Sequence, residues 1–185
     1  DTQRPVAGLV VHRCSVEAGT LSVGDEVELR VDVARRDATR RNHSATHLLH
    51  WALRKVVGAH AQQKGSLVGP ERLRFDFTHG KPLSHEQVSE IEDLVNQRAL
   101  ANAPIRTEVL SMDEAKKRGA MMIFEEKYGD TVRMLSMLES TELCGGTHAR
   151  ATGDIGLFKI QAEQGVGAGV RRVVATTGEG VLSHL

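Results

Sequence analysis

The sequence predicts an α+β fold, a mostly antiparallel sheet with two main helices, preceded by the remnant of a small β-barrel. Segments with strand-like alternation of apolar residues occur in the first 33 residues and again near the C-terminus. Two segments between them have apolar residues at the helical spacings of three and four. With 185 residues, the chain can bury a sizeable core without disulfides. No apolar run approaches the roughly 18 residues of a membrane helix, and we expect a cytoplasmic protein.

Residues 1–33 are predicted to be the end of the barrel, and residues 34–185 a separate domain. GLVVHRCSV and EVELRVDV read as strands, and Gly24-Asp25 between them as a turn. Two or three strands are not stable alone, so this piece either packs on the rest of the chain or completes a barrel begun in preceding sequence. Because the chain does not begin with methionine, we expect a processed chain or a segment of a longer one.

The first main helix is predicted from about Asn42 to Val57. Its apolar residues share one face, and Gly58 is a typical helix terminator. Asp37 or Thr39 is the expected residue at its start.

The second helix is predicted to begin at Ser84, which forms a capping box with Gln87. LRFDF before it and IRTEVLSM after it read as strands. MDEAKKRG reads as a short helix ended by Gly119, and TVRMLSM as a further strand. IGLFKIQAEQ and GVRRVVATTG give two last strands, separated by the glycine-rich GVGAG.

Charge is unevenly distributed although the net charge is zero. Residues 30–55 contain seven Lys/Arg and two Asp/Glu, a balance of +5, whereas residues 86–142 contain seven and twelve, a balance of −5. The basic segment is a candidate contact for a phosphate backbone, but the charge pattern alone favours ordinary solvated faces for both segments.

Two short motifs predict a metal site. His43 and His47 stand four apart on the first helix, so both imidazoles project from one face. Cys144 and His148 are also four apart, with two glycines between them that allow a sharp turn. A thiolate and three imidazoles suit tetrahedral zinc (Zn²⁺). Nine histidines make some such spacing expected by chance, so the prediction depends on the two motifs together.

Four stretches in order resemble the editing domain of bacterial-type alanyl-tRNA synthetases: RRNHSATHLLHWAL, QKGSLVGPERLRFDF, ELCGGTHARATGDIGLFKI and GVRRVVATTG. The resemblance extends from about residue 8 to the C-terminus. The same ligand pattern occurs in stand-alone AlaX-type deacylases and, more distantly, in the threonyl-tRNA synthetase editing domain. A stand-alone AlaX-type trans-editing deacylase is therefore the alternative interpretation.

The resemblance implies a function and a set of residues. The domain would hydrolyse Ser-tRNA(Ala) and Gly-tRNA(Ala), and the rest of the synthetase would lie in the same polypeptide. No class II adenylation motif is present, so alanyl-tRNA synthesis itself is not expected. Zinc would be held by the four motif residues, with His47, Cys144 and Gln63 at the catalytic site. Candidate contacts to the amino acid or the mischarged tRNA 3′ end are Gln63, Ser66, Arg74, Arg171 and Arg172.

Two other interpretations use the same residues. The domain could be a zinc-stabilised tRNA-binding module without activity, or a general metallohydrolase of small esters. Of the remaining candidates, Cys14 is expected to be a buried core thiol, and His50 to have a structural role.

Overall fold

A computed structural model describes residues 2–6, 8–122 and 129–183. The chain divides into two compact units, Asp1–Val31 and Asp32–Leu185. The first unit contains two short antiparallel strands, β1 (Thr2–Gln3) and β2 (Val11–His12). No helix in the described part is both long and apolar enough to cross a membrane.

The predicted strand EVELRVDV is wrong, because residues 26–32 lie outside any strand and Val33 begins a helix. Its alternate residues Val27, Leu29 and Val31 are more than half exposed, so the pattern is present without the neighbouring strand it needs. The predicted turn does occur, since the Asp25 amide donates to the Ser22 carbonyl at 3.2 Å. The barrel remnant stays a prediction.

The second unit confirms the α+β class, with two antiparallel sheets and helices packed beside them. In chain order its elements are α1 (Val33–Val56), β3 (Gln63–Val68), β4 (Leu73–Thr78), α2 (His85–Leu100), β5 (Arg106–Ser111), α3 (Met112–Lys117), β6 (Thr131–Met137), β7 (Ser140–Leu143), β8 (Phe158–Gly167), β9 (Val170–Thr177) and α4 (Glu179–Leu182). The sheets have the orders β3-β4-β9-β8 and β5-β6-β7.

Helix α1 begins well before its predicted start. Asp32 is the N-cap, and its carboxylate accepts a hydrogen bond from the Arg35 amide at 3.0 Å, so both predicted caps, Asp37 and Thr39, are wrong. The first turns are solvated and carry no apolar stripe, which is why the periodicity did not show them. The end is as predicted, with Val57 as the cap and Gly58 at φ 115°.

Helix α2 begins as predicted. Gln87 N donates to the Ser84 hydroxyl at 3.2 Å and the Gln87 side chain accepts from Ser84 N at 3.0 Å, which completes the capping box. The short helix α3 is followed, also as predicted, by Gly119, at φ 71°.

One core joins both main helices to the sheets. Leu49 of α1, Phe75 of β4, Ile91 of α2 and Val173 of β9 are fully buried in it, together with Leu135 of β6. Because α1 packs on β4 and β9 and also contacts β7, the middle of this helix lies beside the loop after β7. That arrangement brings the two histidines of α1 close to Cys144.

Candidate metal centre

Four side chains converge where α1 meets the loop after β7. His43 and His47 come from the helix, and Cys144 and His148 from the loop; one ligand atom of each lies within 4.8 Å of the others. The Cys144 sulfur is 3.5 Å from His43 Nε2 and 3.3 Å from His148 Nε2. Two motifs about 100 residues apart in the chain therefore share one site, as the sequence predicted.

Helix α1 is held in place directly beside His43. The Asn42 amide donates to the carbonyls of Gly69 and Pro70 at 2.8 and 3.1 Å, and its oxygen accepts from the Thr177 hydroxyl at 2.8 Å. Asn42 is buried, so these bonds connect α1 to the β3–β4 turn and to β9. The position of His43 is thus set by the sheet as well as by the helix.

His47 has the geometry of a metal ligand with a fixed tautomer. Its Nδ1 is 2.6 Å from the Glu142 carboxylate, and both side chains are almost completely buried. The opposite nitrogen, Nε2, is buried and has no hydrogen-bond partner in the described structure. An orphaned buried nitrogen is costly unless a ligand completes it, and a metal ion at this point would do so.

His148 is oriented in the same way. Its Nδ1 is 3.3 Å from the Ser44 hydroxyl oxygen, which also accepts a hydrogen bond from the Ala149 amide at 3.0 Å. Because that oxygen already accepts one bond and fixes Nδ1, His148 presents Nε2 towards Cys144. Two of the three imidazoles thus have a partner behind them, which is the usual support for histidine ligands.

Electrostatics prepare the ligands for a cation. Burial raises the pKa of the Cys144 thiol, but the neighbouring imidazoles of His148, His43 and His47 outweigh burial and lower that pKa to about 3. Burial lowers the pKa of His47, but Cys144 and Glu142 raise it to about 9. Burial lowers the pKa of His148 to about 4. At neutral pH the metal-free site therefore holds a thiolate, and binding a cation displaces a proton from His47.

The low thiol pKa makes a prediction about alkylation. In metal-free protein carrying Cys14→Ser, Cys144 should react with iodoacetamide at a rate that changes less than about twofold between pH 5 and 8. The alkylation rate of an ordinary thiol, with a pKa near 8.5, would rise nearly tenfold per pH unit over most of that range. Mass spectrometry of the modified peptide measures the rate. A steep rise with pH would contradict the thiolate, and added zinc should block the reaction.

The loop can approach His43 only because residue 146 is a glycine. A Cβ at Gly146 would lie 2.0 Å from His43 Cε1, whereas a Cβ at the neighbouring Gly145 would meet nothing within 4 Å. The Arg133 guanidinium also donates to the Gly146 carbonyl, which holds the loop against the ring.

We therefore expect Gly146→Ala to displace His43 and to weaken zinc affinity by about 10-fold or more, the scale seen when a ligand's support is lost. Competition with a chromophoric chelator measures this affinity. Gly145→Ala is the matched control and should bind zinc as the wild type does. Equal affinities of the two variants would show that the close approach is unimportant.

The other predicted site residues lie on the four-stranded sheet. Gln63, half-buried on β3, donates to the hydroxyl of the exposed Ser66 at 3.3 Å. Arg74 lies on β4 with its Nε 3.8 Å from Asp76. In the described part, no hydrogen bond or ion pair connects these residues to the four-residue cluster, and their roles stay predictions.

The arginine pair on β9 is already engaged with carboxylates. Arg171 forms two bonds to Glu163, at 2.5 and 2.7 Å. Arg172 forms two bonds to Asp76, at 2.7 and 2.8 Å. These guanidinium groups would have to exchange a bidentate partner to hold an anionic substrate.

Sequence reasoning missed Glu142 and Ser44. Glu142 stands two residues before Cys144 in a largely buried strand, and the only hint in the sequence was a carboxylate so close to a candidate ligand. His50 is buried with Nε2 3.1 Å from the Ala61 carbonyl, which fits the structural role expected of it. Cys14 is exposed, so the prediction of a buried thiol is wrong.

Comparison with known proteins first defines a class. Residues 132–174 match the family described as the threonyl and alanyl tRNA synthetase second additional domain. This segment includes Glu142, Cys144 and His148, and so contains half of the four-residue cluster. This segment is therefore similar to an accessory domain of aminoacyl-tRNA synthetases.

Relatives at high identity specify the synthetase. The whole chain is 68% identical to part of the alanine–tRNA ligase of Sorangium cellulosum (strain So ce56), of which it covers 20%. It is 57% identical to that of Acidovorax sp. (strain JS42) and 56% identical to that of Myxococcus xanthus (strain DK1622), covering 21% of each. The chain thus spans about a fifth of these relatives. The resemblance to the editing-domain region of alanyl-tRNA synthetases is confirmed.

Proposed function

We propose that this chain is an editing domain that hydrolyses the ester of mischarged Ser-tRNA(Ala) and Gly-tRNA(Ala). The observation that carries the proposal is the four-residue cluster, in a chain homologous over its full length to alanine–tRNA ligases. A cluster of three imidazoles and a thiolate, with His47 almost completely buried and the others partly so, has no simple structural explanation without a cation. In a synthetase segment, ester hydrolysis is the reaction that such a site serves best.

The residues present fit zinc, with His43, His47, Cys144 and His148 as its ligands. With Zn²⁺ bound, one thiolate and three neutral imidazoles would leave the site a net charge near +1. That positive charge would polarise the ester carbonyl or lower the pKa of a water molecule. With a metal on the Nε2 atoms, Nδ1 of His47 would donate to Glu142 and Nδ1 of His148 would donate to Ser44, at 2.6 and 3.3 Å. Both contacts fix the imidazoles before any substrate arrives.

Selectivity is the reason for a second site. A pocket that accepts alanine rejects glycine poorly, and an added hydroxyl on serine is also weakly rejected. A hydrolytic site whose polar groups pair with the seryl hydroxyl leaves them unpaired with alanine, which costs about 1–3 kcal/mol per group. Gln63, with Ser66 3.3 Å away, is our candidate for that partner.

The domain would act in the cytoplasm on tRNA(Ala), beside the remainder of the synthetase in the same polypeptide. The alternative, an AlaX-type deacylase acting in trans, predicts the same chemistry. The full reading frame separates the two, because only the synthetase has a class II aminoacylation core upstream.

The test is serine release from Ser-tRNA(Ala) by the zinc-loaded chain. We expect hydrolysis of Ser-tRNA(Ala) and Gly-tRNA(Ala), and much slower hydrolysis of Ala-tRNA(Ala). Binding of tRNA without release of any amino acid would support the inactive tRNA-binding module instead. Equal activity on simple serine esters would support a general metallohydrolase.

A further inference from the structure

A cationic cavity lies directly beside the candidate metal centre, and its arginines are neither candidate metal ligands nor residues used in the proposed hydrolysis. Its volume is about 380 Å³. His148 forms part of its wall, and the charged residues that line it are Arg40, Arg41, Arg150, Asp37 and Asp154. The cavity therefore continues the metal site rather than forming a separate one.

The carboxylates in the wall are occupied. Asp37 accepts from the Arg40 guanidinium at 2.9 Å. Asp154 accepts from the backbone amides of Arg150 and Ala151 at 3.0 and 3.3 Å. Three arginines against two aspartates leave the cavity one positive charge in excess, and within the described residues no salt bridge joins either aspartate to Arg41 or Arg150.

Arg41 and Arg150 retain free donors. Within the described residues, neither side chain has a hydrogen bond or a carboxylate within ion-pairing distance, unlike Arg171 and Arg172. The Nε atoms of Arg40 and Arg41 are buried without a partner, which is costly unless an acceptor arrives. Guanidinium groups match phosphate oxygens in geometry as well as in charge.

We propose that this cavity binds a backbone phosphate of the single-stranded 3′ end of the RNA substrate, with Arg41 and Arg150 as the main contacts. This inference rests on the proposed function. The phosphate of the last nucleotide is only a few covalent bonds from the esterified ribose oxygen, so a phosphate beside His148 would place the ester at the metal site. This proposal assigns a function to the basic segment of α1. It assigns the predicted contact with the substrate to Arg41 and Arg150 instead of Arg171 and Arg172.

The first measurement needs no catalysis. An RNA hairpin ending in single-stranded CCA is titrated into the zinc-loaded chain, and affinity is followed by fluorescence anisotropy. Arg41→Gln and Arg150→Gln should each weaken binding about 10-fold, the usual effect of losing a charge-assisted contact. Arg36→Gln removes an equal charge from the same helix outside the cavity and is the matched control. Arg150 is exposed, so its variant tests the proposal even if Arg41→Gln fails to fold.

A chemical cycle locates the contact. Replacing the last phosphodiester of the hairpin by a neutral methylphosphonate should weaken binding to the wild type and to Arg36→Gln by about 10-fold. It should have a smaller further effect on Arg41→Gln or Arg150→Gln, because each variant has already lost one of the two contacts to that phosphate. Full additivity in both cavity variants would overturn the proposal. The proposal would also be overturned if the variants bound inorganic phosphate more weakly than the wild type but bound the hairpin equally well. The ligand of the cavity would then be a free anion.

Activity gives an independent readout. Seryl-adenosine, which has no phosphate, should be hydrolysed equally by the wild type, Arg41→Gln and Arg150→Gln. Mischarged tRNA(Ala) should show a raised KM in both variants at unchanged zinc content. If the wild type releases no serine from either substrate, the proposed function fails, and the hairpin titration still decides this inference. A loss on seryl-adenosine equal to that on tRNA would contradict a phosphate contact.

Discussion

Cys144→Ala is expected to abolish both zinc binding and the release of serine from Ser-tRNA(Ala). The variant removes the thiolate that His43 and His148 approach within 3.5 Å, and leaves three imidazoles around a buried gap. Removal of a residue that only supports a ligand typically lowers metal affinity about 10–100-fold. Removal of a direct ligand should therefore lower both zinc affinity and kcat/KM by more than about 100-fold. Zinc content by mass spectrometry and single-turnover deacylation measure the two effects.

The control for this result is Cys14→Ala, which removes the other, exposed cysteine and should leave both quantities unchanged. His47→Ala should reproduce the loss, and the double variant Cys144→Ala/His47→Ala should be little worse than either, because ligands act as a unit. Serine release at the wild-type rate by both single variants would refute the metal site as the catalytic centre.

Glu142→Ala has the second largest expected effect. The carboxylate is 2% exposed and accepts from His47 Nδ1 at 2.6 Å. Without it, a buried imidazole nitrogen loses its partner and the ring loses its fixed tautomer. We expect zinc affinity to fall about 10–100-fold, and the free energy of unfolding to fall by about 3 kcal/mol. Chelator competition and denaturant titration of the zinc-free protein separate the two effects.

Two variants refine this prediction. Glu142→Gln keeps the shape and an acceptor oxygen, so it should lie between the wild type and Glu142→Ala. Glu139→Gln alters an exposed carboxylate of the same hairpin, which pairs with Arg98 at 2.8 Å, and should change zinc affinity and stability little. If Glu139→Gln and Glu142→Ala behaved alike, the contact with His47 would have no special role.

Local patterns explain what the sequence could predict. The two ligand pairs, the capping box of α2 and the final strands each depend on residues within a few positions of one another. The convergence of the four side chains could be predicted because Gly145 and Gly146 indicate a turn, and because two ligand pairs match the number of ligands in a tetrahedral metal shell. The sequence could not show that Gly146 is needed for the close approach to His43 as well as for the turn.

The features that the sequence did not predict depend on long-range contacts. Strand β3 lacks apolar alternation and exists through its pairing with β4. Glu142 resembles a solvent-facing residue until His47, 95 positions earlier, is packed against it. In the first unit the reverse holds, because Val27 and Leu29 alternate correctly but are exposed, and no strand of the described residues pairs with them.

The most direct test of the zinc site is the X-ray absorption spectrum of the purified, zinc-loaded chain at the zinc K edge. We predict one sulfur at about 2.3 Å and three nitrogens at about 2.0–2.1 Å, the distances of a Cys–His₃ shell. In Cys144→Ser the sulfur shell should disappear. A first shell of oxygen and nitrogen alone in the wild type, or a sulfur that persists in the variant, would contradict the claim that these four residues hold the ion.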